Sequence, residues 1–581
     1  MEKPGGQQEI TIYDTTLRDG SQAEEISFST EDKILIAKKL DELGIDYIEG
    51  GFPGSNKTDK TFFQEIKKHQ LQHAKIAAFG STHNAKYSVE NDPNILALLD
   101  AEPEIFTIFG KSWDLHVLKV LKISMEKNLE LIYNSTVFLK KYADEVFYDA
   151  EHFFDGYKNN PEYALKTIKT AEEAGADCII LCDTNGGTIT SEITEMLQKI
   201  KNEITVQLGI HAHNDSDVAV ANSITAVENG ITQVQCTVNG YGERAGNANL
   251  CSVIPILQIK KCFNCISLEQ LKHLKETSRF VSEIANIKPW RHQPFVGESA
   301  AAHKGGVHGD AVLKDSSSYE HIDPELVGNN RRILISGLSG KANIISKAEE
   351  YGIKLDPKNP VVSDVVKQLK NLAHSGYKFE GADGSFLLLL KKAMGVNGNF
   401  FDVKSFRIII EKKEGEKDTT SEATVKIKLQ NGGEKHAVAY GDGPVNALDN
   451  VLKKTLREHY EIVDKIHLTD FKVRILGEKE GSQDKTRVLI ESSDSTKTWG
   501  TVGVSENIIE ASLNALVDGI KYKLIEEAEK AQKLQQIKAY KRWFFSTKDF
   551  FMKRVFIQRC IKLYAQNVQK IKFIKRGKIT N

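Results

Sequence analysis

The chain has few cysteines and no long hydrophobic run. Seven cysteines scattered over 581 residues do not make the disulfide framework of a small secreted domain. No run reaches the ~18 consecutive apolar residues that a membrane helix requires, and the N-terminal segment MEKPGGQQEI has no apolar signal core. We therefore expect a cytoplasmic protein that does not associate with a membrane.

The chain also has almost no net charge. Its formal charge is −1 at pH 7, which argues against nucleic acid as a partner. The charge is unevenly placed, because residues 535–581 hold 13 Lys or Arg and a single acidic residue, Asp549. Residues 1–534 therefore carry a net negative charge. The basic tail also carries Trp543 and Phe544, so it is either a basic amphipathic helix for a membrane or a partner, or an extension without function.

The cysteines are placed like buried thiols. Four of them lie in or beside apolar runs and are predicted to be free and buried: Cys178, Cys182, Cys236 and Cys251. Cys262 and Cys265 form one CxxC with no second pair, which is weak evidence for zinc, and we predict no zinc site there.

The first 255 residues alternate short β-rich runs with helical patterns. One helix is predicted from a Thr30 cap to Leu43, before Gly44, and others over 161–174 and 215–229. Eight strands with crossover helices over this length predict a (β/α)8 TIM barrel, with a doubly wound open sheet of fewer strands as the alternative. The predicted strands begin at Ile10, Tyr47, Lys75, Phe106, Leu129, Cys178, Val206 and Gln233.

Four regions follow one another along the chain. Residues 8–260 form the predicted catalytic barrel, and 261–402 form a mainly helical linker that contributes to the active site. In residues 403–534 three strand-like runs and a helix occur twice, which predicts an α+β domain built from two βββα units. Such a duplication suits a small-molecule sensing domain and, nearly as well, a purely structural dimerisation domain. The basic tail, 535–581, comes last.

Two histidines end the seventh predicted strand. Side chains at i and i+2 of a strand point to one face, so His211 and His213 can both aim into the barrel mouth. Polar residues at the carboxyl ends of barrel strands are typical of catalytic sites. Asp19 follows the first strand, which lies close to the seventh around a closed barrel. Two imidazoles and a carboxylate suit a divalent metal such as Mn, Fe, Zn or Mg, and Asn247 can add a weak amide oxygen.

Several segments together resemble the isopropylmalate synthase family of acyl-CoA-condensing metalloenzymes. They are YDTTLRDGSQ, the strand HAHND, the loop NGYGERAGNANL and the segment HKGGVHGDA, and GDGPVNALDN is similar to the family's amino-acid-sensing domain. The segments EGGFPGSNKTD and AAFGSTHNAK look most like the citramalate synthase branch. That resemblance implies condensation of acetyl-CoA with pyruvate, feedback control by an amino acid, with isoleucine expected, and a homodimer.

The resemblance also implies roles for individual residues. Arg18 would stabilise the oxyanion that develops on the ketone, and Thr184 would bind the substrate carboxylate. Glu151 aligns with the family's catalytic glutamate. His308 matches a histidine that the family supplies from the linker region, often from the partner subunit. Either residue can be the general base, and the choice between them stays open.

Three alternatives are weighed against this hypothesis. An isopropylmalate or homocitrate synthase would use a larger 2-keto acid. An acyl-CoA lyase could share the barrel and its ligands but is not expected to carry the duplication at 403–530. A regulator without metal would have lost a ligand, whereas Asp19, His211 and His213 are all present.

Overall fold

The computed structural model describes residues 8–396, 398–412, 418–477 and 484–546, and they divide into two compact units. The first unit consists of residues 8–302 with Glu320–Arg331. The second consists of His303–Tyr319 and the described residues from Arg332 onward. Most of the predicted basic tail, residues 547–581, lies outside the described residues.

The first unit is a closed barrel of eight parallel strands in sequential order. Strand β1 pairs with both β2 and β8, which closes the sheet. The predicted (β/α)8 architecture is therefore confirmed. The strands are β1 Thr11–Asp14, β2 Tyr47–Gly51, β3 Lys75–Ser81, β4 Ile105–Lys111, β5 Glu145–Glu151, β6 Cys178–Asp183, β7 Gln207–Ala212 and β8 Gln233–Cys236.

Helices follow the strands around the barrel. They are α1 Thr30–Leu43, α2 Lys57–Ile66, α3 Pro93–Ala101, α4 Met125–Leu139, α5 Phe153–Asn159, α6 Pro161–Glu173, α7 Thr190–Ile200, α8 Ala219–Glu228, α9 Leu250–Pro255, α10 Leu268–Leu271 and α11 Leu274–Ile284. The predicted cap of α1 was one residue late. Ser29 is the N-cap and forms a capping box with Asp32, and Gly44 ends the helix at φ 86°.

The predicted fifth strand was wrong. The run that begins at Leu129 lies inside α4, and the fifth strand is β5, Glu145–Glu151. The buried positions of α4 recur every three or four residues, which is the helical period, and Ser124 caps the helix by accepting from the Lys127 backbone amide. These buried positions are Asn128, Leu131, Ile132, Ser135, Thr136, Phe138 and Leu139.

The barrel interior is filled by side chains at its lower levels. Tyr13, Phe147, Cys178 and Ile180 pack together there and are buried. All six cysteines of the described residues are free thiols, and the four predicted to be buried are buried. The polar side chains described below therefore lie above a closed apolar floor.

The second unit contains two three-stranded antiparallel sheets, each followed by a helix, and this confirms the predicted βββα duplication. Its elements, with the two short strands before them, are β9 Ala302–His303, α12 Gly306–Lys314, β10 Arg332–Ile333, α13 Lys341–Glu350, α14 Pro360–His374, α15 Asp383–Ala393, β11 Phe401–Glu411, β12 Thr420–Leu429, β13 Glu434–Gly441, α16 Pro444–Leu456, β14 His467–Ile475, β15 Thr486–Ser493, β16 Thr498–Ser505 and α17 Ile508–Ser546. None of the helices formed by the described residues has the length and apolar character needed to cross a membrane.

Candidate active site

The carboxyl ends of the barrel strands surround a cavity of about 420 Å³. Polar and charged groups converge on it from β1, β5, β6 and β7. Of the predicted site residues of the barrel, six line it: Arg18, Asp19, Glu151, Thr184, His211 and His213.

The three predicted metal ligands lie together at the base of this cavity. Asp19 Oδ2 is 3.2 Å from His211 Nε2 and 3.6 Å from His213 Nε2, and the two Nε2 atoms are 3.3 Å apart. All three side chains are buried. The alternation of β7 brings both imidazoles to one face, and the turn after β1 brings the carboxylate to them.

Burial and mutual contact determine the charges of this group. Burial and, after it, the neighbouring His211 lower the pKa of His213 to about 3. Burial alone would lower the pKa of His211, but the Asp19 carboxylate beside it raises it. Burial would likewise raise the pKa of Asp19, but Arg18 and the two histidines hold it well below its usual range. The group therefore contains an ionised carboxylate and at least one neutral imidazole.

This arrangement suits a divalent cation. Two imidazole nitrogens 3.3 Å apart repel when both present lone pairs, unless a positive centre lies between them. Asn247 Nδ2 donates to Asp19 Oδ2 at 2.7 Å, while its Oδ1 is buried without a hydrogen-bond partner among the described residues. A buried, unsatisfied amide oxygen beside an Asp–His–His group is a further donor that a cation would satisfy. The group could therefore hold a metal ion.

Gln235 of β8 orients one of the imidazoles. Its Oε1 lies 2.9 Å from His211 Nδ1, and its Nε2 donates to Asp149 Oδ1 at 3.1 Å. Because the amide nitrogen is committed to the carboxylate, the amide oxygen faces the ring and accepts the Nδ1 proton. His211 Nε2 is then left with its lone pair toward the cavity. Sequence analysis missed Gln235, and its one signal was that the short strand QVQC carries two amides in a buried barrel.

Glu49 of β2 holds Arg18. Its Oε2 accepts from Arg18 Nε at 2.6 Å, its Oε1 accepts from the Tyr13 hydroxyl at 2.9 Å, and Thr15 also donates to it. Burial opposes the charge of Arg18, but Glu49 raises its pKa above the ordinary value. The guanidinium stays charged in a buried setting. Glu49 was also missed. The structure buries it fully, whereas the sequence shows only an acid within the strand YIEGG.

An aromatic wall limits the room beside Arg18. The guanidinium carbon lies 3.8 Å from the centre of the Phe79 ring, which stacks on Phe109 at 5.3 Å and meets Phe52 edge-on at 5.9 Å. All three rings line the cavity. They leave a restricted apolar space next to the cation.

Glu151 and Thr184 stand at the ends of neighbouring strands. Glu151 closes β5 and pairs with Lys111 at the end of β4. The hydroxyl oxygen of Thr184 accepts from the His152 amide at 2.8 Å, which leaves its proton available to a ligand. Arg244 donates to the Thr184 carbonyl oxygen at 2.7 Å, which fixes the backbone there.

His308 is placed differently from the other predicted residues. It belongs to the second unit, on α12, where it is exposed and its ring stacks on Tyr319 with centroids 4.1 Å apart. Its part in the chemistry stays a prediction.

Family models match three consecutive parts of the chain. The HMGL-like family model matches residues 9–281, the homocitrate synthase post-HMGL domain-like model 295–377, and the LeuA allosteric (dimerisation) domain 380–524. The chain is 55% identical to an (R)-citramalate synthase of Geobacter sulfurreducens, over 90% of this chain and 98% of that one. It is 52% identical to an (R)-citramalate synthase of Aquifex aeolicus, over 90% and 99%.

A 2-isopropylmalate synthase of Methanocaldococcus jannaschii is more distant, at 31% identity over 90% of this chain and 96% of that one. The citramalate synthases are 44–55% identical to this chain and the 2-isopropylmalate synthases 31–32%, so the two groups of relatives are separated by identity. The chain therefore belongs to the citramalate synthase branch of the isopropylmalate synthase family.

Proposed function

We propose that this chain condenses acetyl-CoA with pyruvate to give citramalate. The acetyl methyl group loses a proton, its carbon forms a bond to the ketone carbon of pyruvate, and water then cleaves the thioester to release CoA. The observation that carries the proposal is the buried Asp19–His211–His213 group with Arg18 beside it, in a member of this branch.

Asp19, His211 and His213 would hold a divalent cation, and Asn247 would add its amide oxygen. When bound there, the cation supplies a Lewis acid for the ketone and carboxylate oxygens of the keto acid. Gln235 accepts the Nδ1 proton of His211, which keeps the Nε2 lone pair of His211 directed toward the proposed cation. Mn, Mg and Zn all suit this donor set.

Arg18 and Thr184 would bind and orient the keto acid. Arg18 remains charged throughout the cycle, and Glu49 fixes its direction, so its guanidinium is in place before charge develops on the ketone oxygen. The Thr184 hydroxyl donates to the substrate carboxylate. The rings of Phe79 and Phe109 line the cavity and present an apolar surface to the alkyl group of the keto acid.

Glu151 or His308 would take the methyl proton of acetyl-CoA. Glu151 lines the cavity, and its ion pair with Lys111 holds the carboxylate at the end of β5. His308 offers an exposed imidazole on α12. Comparison of Glu151→Gln with His308→Asn separates them, because loss of the base slows methyl proton exchange of acetyl-CoA in deuterated water.

A keto-acid panel tests the proposed substrate. Turnover with acetyl-CoA and pyruvate, 2-ketoisovalerate or 2-ketoglutarate is followed by release of the CoA thiol. We expect the highest kcat/KM with pyruvate. A preference for either larger acid would assign the chain to isopropylmalate or homocitrate synthesis instead.

We also propose feedback control by isoleucine and a homodimer. The match of residues 380–524 to an allosteric, dimerisation domain supports both. Light scattering of the full chain measures the mass, and turnover with isoleucine or leucine measures the control. A monomeric mass, or turnover unaffected by either amino acid, would contradict the corresponding half.

A further inference from the structure

Arg244, in the loop after β8, connects the loops that follow three neighbouring strands of the barrel. Its Nε donates to Asp215 Oδ1 at 2.8 Å and its Nη2 donates to Asp215 Oδ2 at 2.9 Å, which is a bidentate arginine–carboxylate pair. The same Nη2 donates to the carbonyl oxygen of Thr184 at 2.7 Å. Asp215 follows β7 and Thr184 follows β6, so one guanidinium spans the ends of β6, β7 and β8.

The pair between Arg244 and Asp215 is ionised but only partly buried. The hydrogen bonds from Arg244 hold the pKa of Asp215 below its usual range, and the hydrogen bonds to Asp215 raise the pKa of Arg244. The two side chains are 41% and 26% exposed. An ion pair of this exposure contributes little to stability. Stability alone therefore does not account for a guanidinium that spans three loops at the edge of the active-site cavity.

The backbone of Arg244 is in a conformation that residues with a side chain disfavour. Its φ is 58°, in the left-handed region, where a Cβ atom is crowded by the backbone. Glycine adopts this region without strain, and Gly246 of the same loop does so at φ 88°. Other residues stay in this region only where surrounding contacts determine it, and such positions are concentrated at functional sites. The three hydrogen bonds of the guanidinium are contacts of this kind.

Asp215 in turn packs directly against the loop after β6. Gly186 of that loop has φ 60°, and a Cβ atom added to it would lie 2.6 Å from Asp215 Oδ2. The amide of Ser216 also donates to the Gly186 carbonyl oxygen at 3.1 Å. The loop after β6 is therefore held from the β7 side by a close contact, by a main-chain hydrogen bond and by the guanidinium.

These contacts fix Thr184 through both its side chain and its main chain. Its hydroxyl oxygen accepts from the His152 amide at 2.8 Å, and its carbonyl oxygen accepts from Arg244. The hydroxyl proton is left for a ligand in the cavity. We propose that Arg244, held by Asp215, is a positioning residue that directs the Thr184 hydroxyl toward the carboxylate of the keto acid. This inference rests on the substrate-binding role of Thr184 in the proposed function.

Direct binding of the keto acid by Arg244 is the competing explanation, because its side chain also lines the cavity. Its Nε and Nη2 are already engaged by Asp215 and Thr184. Its Nη1 lies 3.6 Å from Glu243 Oε2. A substrate carboxylate at this guanidinium would therefore meet two protein carboxylates, which disfavours direct binding.

Steady-state kinetics of substitutions in the full chain test the positioning role. Arg244→Gly removes the guanidinium, and glycine keeps φ 58° without strain. We expect KM for the keto acid to rise about tenfold and kcat to fall by less than about threefold, because a hydrogen bond to the bound substrate is weakened in ground state and transition state alike. Arg244→Lys should have a smaller effect, since the charge is retained but the bidentate geometry is lost.

Asp215→Ala separates the two explanations. If Arg244 acts by position, this variant releases the guanidinium and should raise KM as Arg244→Gly does. If Arg244 binds the keto acid directly, loss of the competing carboxylate should leave KM unchanged or lower it, and that result overturns the proposal. Lys169→Met is the control, because it breaks an ion pair of similar exposure with Glu203 on the outer side of the barrel and should leave KM unchanged. A wild-type KM in both Arg244→Gly and Asp215→Ala also overturns the proposal.

A double substitution shows whether Arg244 acts through Thr184. Thr184→Val removes the hydroxyl, so adding Arg244→Gly should change KM by less than about twofold further. Independent effects that multiply in the double variant overturn the proposal. Titration of the metal-free Arg244→Gly chain with Mn²⁺ should give the wild-type affinity. Weaker binding of Mn²⁺ would show that the variant disturbs the loop that carries Asn247, and it would overturn the assignment to Thr184.

Failure of this inference is distinguishable from failure of the proposed reaction. KM is measured with whichever keto acid the chain turns over, since all of them carry the carboxylate. If a larger acid is preferred and the coupling between Arg244 and Thr184 is found, the proposed reaction fails and the positioning role stands. If pyruvate is preferred and the two substitutions act independently, the positioning role fails and the reaction stands. An unchanged KM in Thr184→Val alone overturns the roles of both residues.

Discussion

Strand β6 of the barrel and strand β12 of the second unit both place apolar residues in a core, but they are buried in different patterns. All six residues of β6 are buried. In β12, buried residues alternate with partly or fully exposed ones from Ser421 to Leu429. Both faces of the barrel sheet are covered, the inner face by the barrel interior and the outer face by the helices. Only one face of each antiparallel sheet is covered, and the other is exposed to solvent.

This difference changes what a polar residue in a strand means. Inside the barrel strands, away from their exposed starts, a polar side chain is buried whichever way it points, so most such residues are expected to have a partner or to serve a site. Glu49, His211 and Gln235 are all of this kind. In β12, Lys426 and Lys428 face outward and are exposed. Polar residues therefore carry functional information in the barrel strands that they do not carry in the sheets of the second unit.

The largest expected effect comes from replacing one strand histidine in each region with alanine. His211→Ala should lower kcat by more than about a thousandfold, beyond the loss of a single electrostatic donor, because a ligand of the proposed cation is removed. His436→Ala on β13 changes an exposed residue and should leave kcat unchanged. Release of the CoA thiol measures both, and circular dichroism checks the fold. Wild-type activity in His211→Ala would refute the ligand assignment.

Arg18→Lys should have the next largest effect. Lysine retains the charge but not the planar fork that contacts Glu49 and lies over Phe79, so charge on the ketone oxygen is less well met. We expect kcat to fall by roughly 10²–10³, with a smaller change in KM for pyruvate. Arg474→Lys on β14 is the exposed control. Equal kcat in the two variants would remove Arg18 from the oxyanion role.

Two glutamines of β8 allow a comparison within one barrel strand. Gln235→Leu removes the acceptor for His211 Nδ1 and should weaken metal affinity by about 10–100-fold. Gln233→Leu makes the same change at a buried amide that has no hydrogen-bond partner in the described residues, so it should leave metal affinity unchanged. Titration of the metal-free chain with Mn²⁺ measures both. Equal affinities would show that Gln235 does not position His211.

The proximity of Asp19, His211 and His213 was predictable because it follows from strand period and barrel closure. The period of a strand places His211 and His213 on one face, and barrel closure brings Asp19 from the first strand to them. Gln235 and Glu49 were not predicted. Their partners lie on other elements, Asp149 on β5 and Arg18 in the turn after β1, and nothing in the local pattern names a partner on another element.

The error at Leu129 has a different cause. A seven-residue run such as LELIYNS is compatible with a buried strand and with one face of a helix, and periodicity alone does not separate them. The Ser124 cap and the length of the pattern decide for α4. Thr30 was mistaken for the α1 cap because Ser29 and Thr30 are both good capping residues, and only the hydrogen bond from the Asp32 amide distinguishes them.

The smallest predicted effect lies in the second unit, at Lys426 of β12. Its ammonium pairs with Glu434 at 2.8 Å, and both side chains are about half exposed. Lys426→Gln should therefore lower the free energy of unfolding by only about 0–1 kcal/mol. Val425→Ala at the neighbouring buried position should cost more, about 1–3 kcal/mol, because apolar burial is lost. Thermal unfolding of both variants measures the difference. If Lys426→Gln were as costly as Val425→Ala, polar residues would support these sheets as strongly as they support the barrel, and the contrast between the two regions would fail.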